Sequence, residues 1–262
     1  MTSKSPLLIE DTNLSHAWGR ILLEILDNSG TEIVGVLISL TGFNDGIPAE
    51  DTAILNPLDA CLLARKEKTV SKVAETIFPK SIWEISKDNR KEFFDNYVSS
   101  LPSIKAAVKK NSRPCEYFER LVAFGSGPNN GNQLEYIISE YKSRPKVRRS
   151  MLQASIFDPK RDHVRNAQLG FPCLQHVSFT PIKKDGILIL NAFYATQQLL
   201  EKAYGNYLGL CRLGNFMAHE MGLKFERLNC FVGVEKLDKV PKKDLKTLAD
   251  EVRKALEAEK HS

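Results

Sequence analysis

Residues 170–194 read GFPCLQHVSFTPIKKDGILILNAFY, a hairpin with a thiol at its mouth. From Gln175 to Ile182, and again from Gly186 to Tyr194, strand-forming side chains follow the two-residue period of a pleated sheet. The turn is Lys183-Lys184-Asp185-Gly186, where Asp-Gly supplies the positive φ that a tight reversal needs. Just before the first strand, Gly170-Phe171-Pro172-Cys173-Leu174-Gln175 forms a tight apolar turn in which Pro172 stiffens the backbone beside Cys173. A thiol fixed at the end of a strand acts as a nucleophile where neighbouring groups favour its thiolate.

Outward from this hairpin the pattern alternates between strand and helix. Met151–Phe157 reads as a strand ended by Asp158-Pro159, and Gln198–Met221 as a long helix closed by Gly222. Leu228–Val234 is a further strand. Lys242–Lys260 is an amphipathic helix with Leu245, Leu248, Val252 and Leu256 in register. Toward the N-terminus, Leu14–Leu26 has helical spacing and Thr31–Leu40 has the Ile, Val and Leu content of a buried strand. Helices are expected around Leu58–Arg65, Val70–Phe78, Asn89–Tyr97, Ser103–Lys110 and Asn132–Lys142. No internal repeat or linker interrupts the chain, so the expectation is one α/β (α+β) domain over 1–262.

Composition narrows the function classes. With 262 residues, 42% hydrophobic and 26% charged, the chain buries a substantial core and has no apolar run long enough for a bilayer. The start, Met1-Thr2-Ser3-Lys4-Ser5-Pro6, lacks a secretory pattern, and a cytoplasmic location is expected. The charge of +5 is concentrated in Lys142–Arg149, Lys160–Arg165 and Lys236–Lys246, which suits a few phosphates better than a nucleic-acid track. Five cysteines form no CxxC pair and no Cys/His zinc spacing, and their odd number argues against a disulfide framework. Cys61, Cys211 and Cys230 lie among apolar neighbours and read as small core residues.

The order of several motifs gives the thiol a context. Asn132-Gln133-Leu134 is followed by Arg148-Arg149, Asp158-Pro159 and Pro172-Cys173. After the hairpin comes Ala203-Tyr204-Gly205-Asn206-Tyr207-Leu208-Gly209-Leu210. In this order and spacing the chain resembles the thymidylate synthase and deoxycytidylate hydroxymethylase superfamily, with the archaeal-type branch suggested by Leu174-Gln175 after the cysteine. The resemblance covers 116–235, leaving 1–115 as a divergent N-terminal part and 236–262 as a C-terminal helix. It implies a large twisted mixed sheet flanked by helices, and methyl or hydroxymethyl transfer to C5 of a pyrimidine nucleotide. The implied one-carbon donor is 5,10-methylenetetrahydrofolate or a related pterin.

The resemblance also implies roles. Cys173 would be the nucleophile that adds to C6 of the base. Arg148 and Arg149 would reach across a homodimer to the phosphate in the neighbouring subunit's site, where guanidinium forks match phosphate oxygens. Asn206 would read the pyrimidine edge, Tyr117 would stand near the thiol, and Glu75 would organise proton transfer. The plainer alternatives are surface arginines, a helix-cap or turn asparagine, a packed tyrosine and a solvated glutamate. His176 and His219 read more simply as structural or surface residues.

Three departures bear on substrate handling. Ala195-Thr196 stand where thymidylate synthases carry an Arg-Ser phosphate pair, Gln198 replaces an aspartate, and Val234-Glu235-Lys236-Leu237 lacks the His-x-Tyr that holds the sugar. Lys183, Lys184, Lys202 and Lys236 are the cations available to compensate. The same departures leave open a regulatory or nucleotide-binding homologue that kept the fold without methylating dUMP.

Overall fold

Among the residues described by the computed structural model (5–87, 89–107, 117–125, 127–144, 146–163, 171–237 and 239–259), seven strands join in one mixed sheet flanked by helices. Cys115, Gly170, the end of the helix expected at Ser103–Lys110 and the last three residues lie outside this set. The first half of the chain contributes β1 (Leu7–Asp11), α1 (Leu14–Asp27), β2 (Glu32–Leu40), α2 (Thr52–Ala64), α3 (Val70–Ala74), α4 (Lys80–Ile85), α5 (Arg90–Ala107) and α6 (Tyr117–Val122). Then follow α7 (Gln133–Ser143), β3 (Gln153–Ser155), α8 (Pro159–Asp162), β4 (Leu174–Ile182), β5 (Ile187–Tyr194), β6 (Gln197–Gln198), α9 (Tyr204–Met221), β7 (Lys224–Lys236) and α10 (Lys246–Glu259).

The sheet order is β1-β2-β7-β5-β4-β3, with β6 beside β7. β1 runs parallel to β2, and β5 and β6 run parallel to β7; the remaining pairs are antiparallel. The hairpin predicted across Lys183–Gly186 is β4–β5, with Ile182 opposite Ile187. Gly186 adopts φ 65° there, a conformation that costs a residue without a Cβ little.

One face of the sheet is the core. Val177, Phe179, Leu188, Leu190, Tyr194, Phe225, Leu228 and Val232 are fully covered, and α9 packs on β5 and β7. The other face keeps Leu8, Leu37, Phe193 and Phe231 exposed, with Phe193 and Phe231 stacked at 5.8 Å. Its polar residues form a ladder: Asn229 donates to Asn191 at 3.0 Å, and Asn191 donates to Thr180 at 3.2 Å.

Several elements differ from their sequence pattern, each for a tertiary reason. Gln197 and Gln198 pair in register with Glu235 and Lys236, so the expected helix from Gln198 yields two strand residues and a π-turn over Leu199–Ala203 before α9. The two helices expected between Asn89 and Lys110 are one, α5, which continues past Pro102 because Tyr97 and Leu101 keep one face buried. The strand expected over Met151–Phe157 shortens to Gln153–Ser155, with a 3-10 turn at Arg149–Met151. β1 was not legible, being a five-residue strand fixed by parallel pairing to β2.

The motif glycines are packing devices. A Cβ at Gly205 would lie 2.5 Å from Val73 Cβ, and one at Gly209 would lie 2.8 Å from Ala74 O. The bare backbone of α9 therefore lets α3 lie directly on it. No described helix is long and apolar enough to cross a membrane.

Candidate active site

Cys173 sits immediately before β4, its backbone carbonyl accepting from Ala195 N at 3.0 Å and its side chain packed against the core. The turn is held by Gln175, whose amide donates to the Pro172 carbonyl. The Cys173 thiol is hydrogen-bonded to Tyr117. Burial pushes the thiol up, while Tyr117 and the nearby Lys202 and Lys236 ammonium groups pull it down, for a net upward shift. In the resting protein the sulfur is therefore protonated at neutral pH, with stabilising groups for the thiolate already in place.

Tyr117 owes its position to its neighbours. Phe118 is fully buried, edge-on to Tyr97 at 4.7 Å and to Phe78 at 5.8 Å, and Phe118 N donates to Thr76 O. Gln133 then fastens this helix to the sheet. Its amide donates to Arg120 O (2.9 Å) and Ser155 O (2.8 Å), and its carbonyl accepts from Ser155 N (2.9 Å). Asn132 caps α7 by accepting from Glu135 N, and Leu134 is fully buried. The Asn132-Gln133-Leu134 motif is thus the clamp that brings Tyr117 to Cys173. Asp158-Pro159 is likewise a cap, with Asp158 accepting from Lys160 N at 3.0 Å.

Around the thiol lies a buried polar cluster. Tyr207 donates to Glu235 at 3.2 Å, and Glu235 is fully buried. Burial, together with Tyr117, Cys230, Cys173 and Glu235, pushes the Tyr194 phenol well up, and burial does the same to Cys230. The Tyr194 hydroxyl and both polar atoms of the Gln197 amide are buried without a hydrogen-bond partner among the described residues. Gln197, opposite Glu235 in the sheet, was not singled out from sequence; its neighbour Gln198 points to solvent opposite Lys236. The missed signal was strand parity, which a helical reading of Gln198 onward conceals.

The other predicted residues are distributed as follows. Asn206 is 3% exposed in the first turn of α9 and makes no side-chain hydrogen bond among the described residues. Glu75 caps the end of α3, where it pairs with Arg212 at 3.2 Å and accepts from the Ser81 hydroxyl at 2.8 Å. Arg148 and Arg149 are exposed at the start of the 3-10 turn leading into β3, with no ion pair among the described residues. His176 is on the open sheet face, opposite Ser155 and Phe193, while Cys173 packs against the core. Lys202 and Lys236 act on the thiol through their charge, Lys236 from the exposed side of its strand, whereas Lys183 lies over the Tyr141 ring at 4.9 Å.

No family model matches the chain. It is 26% identical over 153 residues to a protein of Methanocaldococcus jannaschii named "Putative thymidylate synthase". The match covers 55% of this chain and 67% of that protein, and it supports a thymidylate synthase-like relationship.

Proposed function

We propose that this chain transfers a one-carbon unit to C5 of a pyrimidine nucleotide through a covalent bond between Cys173 and C6. At the coarse level, the similarity to the archaeal protein supports a thymidylate synthase-like transferase of nucleotide biosynthesis. The observation that carries the finer reading is a half-buried thiol hydrogen-bonded to a phenol, Tyr117, and pulled toward thiolate by the charges of Lys202 and Lys236.

In this reading the thiol loses its proton and the sulfur adds to C6, moving an electron pair onto C5. C5 would form its bond to the one-carbon unit and give up its proton as that unit's bond to the donor nitrogen breaks; hydride or water would then add to the transferred carbon as the sulfur leaves C6 and the ring is restored. The donor, 5,10-methylenetetrahydrofolate or a related pterin, supplies the carbon and, for a methyl product, the hydride. Hydration of the transferred unit gives hydroxymethyl instead. The unpartnered Gln197 amide and Tyr194 hydroxyl suit a heterocycle edge bearing both N–H and C=O, which a pyrimidine and a pterin share. Lys202 and Lys236 take the place of the phosphate arginine absent at Ala195-Thr196, and Asn206 reads the base as uracil. Gln198 lies at the rim beside Lys236, and Glu75 acts at the far end of α3 through its pair with Arg212.

The acting unit is a homodimer joined through the open sheet face, with Arg148 and Arg149 completing the partner's phosphate site. Exposed Leu8, Leu37, Phe193 and Phe231 form an apolar patch across this face and support a covering copy.

The test is tritium release from C5-labelled dUMP, UMP, dCMP and CMP, with and without methylenetetrahydrofolate. The expected result is release with one of the four, lost in Cys173→Ser. A 5-fluoropyrimidine nucleotide should leave a stable adduct on Cys173 by mass spectrometry. Folded protein that binds a nucleotide equally well as Cys173→Ser, releases no tritium and forms no adduct is instead a binding homologue.

A further inference from the structure

We infer that Asp11, His16 and Glu259 form a divalent-cation site, best suited to zinc, that ties the C-terminal helix to the start of the chain. The three residues come from the end of β1, the first turn of α1 and the last turn of α10. Asp11 Oδ2, His16 Nδ1 and Glu259 Oε1 all lie within 4.8 Å of one another.

The orientation of the donors points to a ligand. The side chains of Asp11 and His16 are 4% and 9% exposed, and among the described residues Asp11 Oδ2 and His16 Nδ1 are buried atoms without a hydrogen bond. Glu259 Oε1 approaches His16 Nδ1 to 3.1 Å, and Arg20 Nε approaches Asp11 Oδ2 to 3.1 Å, but neither completes a hydrogen bond. The supporting contacts hold these atoms in place. Asp11 Oδ1 accepts from Thr12 N (2.8 Å) and Asn13 N (2.9 Å), which aims Oδ2 at the cluster. His16 Nε2 faces Asp51 Oδ2 at 3.3 Å, while Asp51 Oδ1 accepts from Ala53 N. A carboxylate on one imidazole nitrogen leaves the other as the lone-pair donor, the usual support for a metal-bound histidine.

Charge argues the same way. Asp11, Asp51 and Glu259 set three carboxylates against the one guanidinium of Arg20, so the cluster holds an excess of acidic groups. A divalent cation balances that excess. Zinc accepts one imidazole and two carboxylates with solvent in the fourth position, at about 2.0–2.1 Å to each ligand. That places neighbouring ligand atoms about 3.3 Å apart, so the three donors need only draw together. Glu259 can supply the movement, being 37% exposed in the last turn of α10. Arg20, 46% exposed, competes for Asp11 and Glu259 and would swing outward.

The test uses the full chain in a Cys61→Ser/Cys173→Ser background, which removes both half-buried thiols of the described residues as zinc ligands. After chelator treatment, zinc is titrated in competition with a chromophoric chelator, and cobalt(II) is followed by its visible absorption. The expected result is one equivalent per chain with a higher Tm. His16→Ala and Glu259→Gln should each weaken binding at least 10-fold, and Asp51→Asn about 10-fold or more. Arg20→Gln should tighten it, because a competing cation is gone; a plain ion-pair cluster would only lose stability. Glu259→Gln changes a half-exposed helix end, so it remains informative if His16→Ala fails to fold. Absence of binding at one equivalent, or binding unchanged by Glu259→Gln, overturns the site and leaves an ion-pair cluster.

Discussion

At Cys173, burial and electrostatics oppose each other, and burial prevails: the thiol is raised although Tyr117, Lys202 and Lys236 all pull it down. Thiolate is the form that attacks, so alkylation by iodoacetamide should accelerate as pH rises through and above neutrality. Removing any of the three opposing groups should shift that profile further up. Tyr117→Phe, Lys202→Ala and Lys236→Ala are each expected to slow alkylation at pH 7.5 while leaving the limiting rate at high pH nearly unchanged. Stopped alkylation with peptide mapping checks this, and a profile unmoved by both lysine substitutions would remove them from the site. The position of Cys173 in a Pro-Cys turn was legible from sequence because the turn is local, and Tyr117 was placed near it by resemblance. Gln197 was hidden, because which of two adjacent glutamines turns inward depends on the pairing of β6 with a strand nearly forty residues away.

At the level of elements, the site rests on contacts that look unremarkable in sequence. Gln133 satisfies three backbone groups on two elements at once, so no other side chain of its size replaces it. Gln133→Leu leaves those groups without a partner and should cost about 2–3 kcal/mol of stability, read from urea unfolding. It should also free α6 enough for the Cys173 alkylation profile to approach that of Tyr117→Phe. Gly205→Ala tests the other support of the site. Its Cβ would meet Val73 Cβ at 2.5 Å and Val70 O at 2.7 Å, so overpacking should destabilise the chain by about 1–3 kcal/mol. The hairpin, α1, β2, α7 and the C-terminal helix followed from periodicity and caps. The short strands β1 and β6 did not, since their pairing depends on partner strands distant in sequence.

On the scale of the whole molecule, an open sheet face and two exposed arginines belong to one argument. Phe193 and Phe231 stack at the centre of that face, flanked by Leu8 and Leu37, while Arg148 and Arg149 lie where β3 begins at the sheet edge. If a second copy covers the face, its symmetry places each subunit's arginines near the other's site. Phe231→Glu should then give a monomer by sedimentation and lose activity without losing the fold. Subunit mixing asks the sharper question. Cys173→Ser chains lack the nucleophile, and Arg148→Ala/Arg149→Ala chains lack the phosphate clamp, so each homodimer is inactive. When refolded or co-expressed in equal amounts, half the dimers are mixed, and one of the two sites in each has both its cysteine and its arginines. Activity should therefore recover to about a quarter of the parent level under random pairing. If instead the arginines serve their own subunit's thiol, no mixed site is complete and the mixture stays inactive.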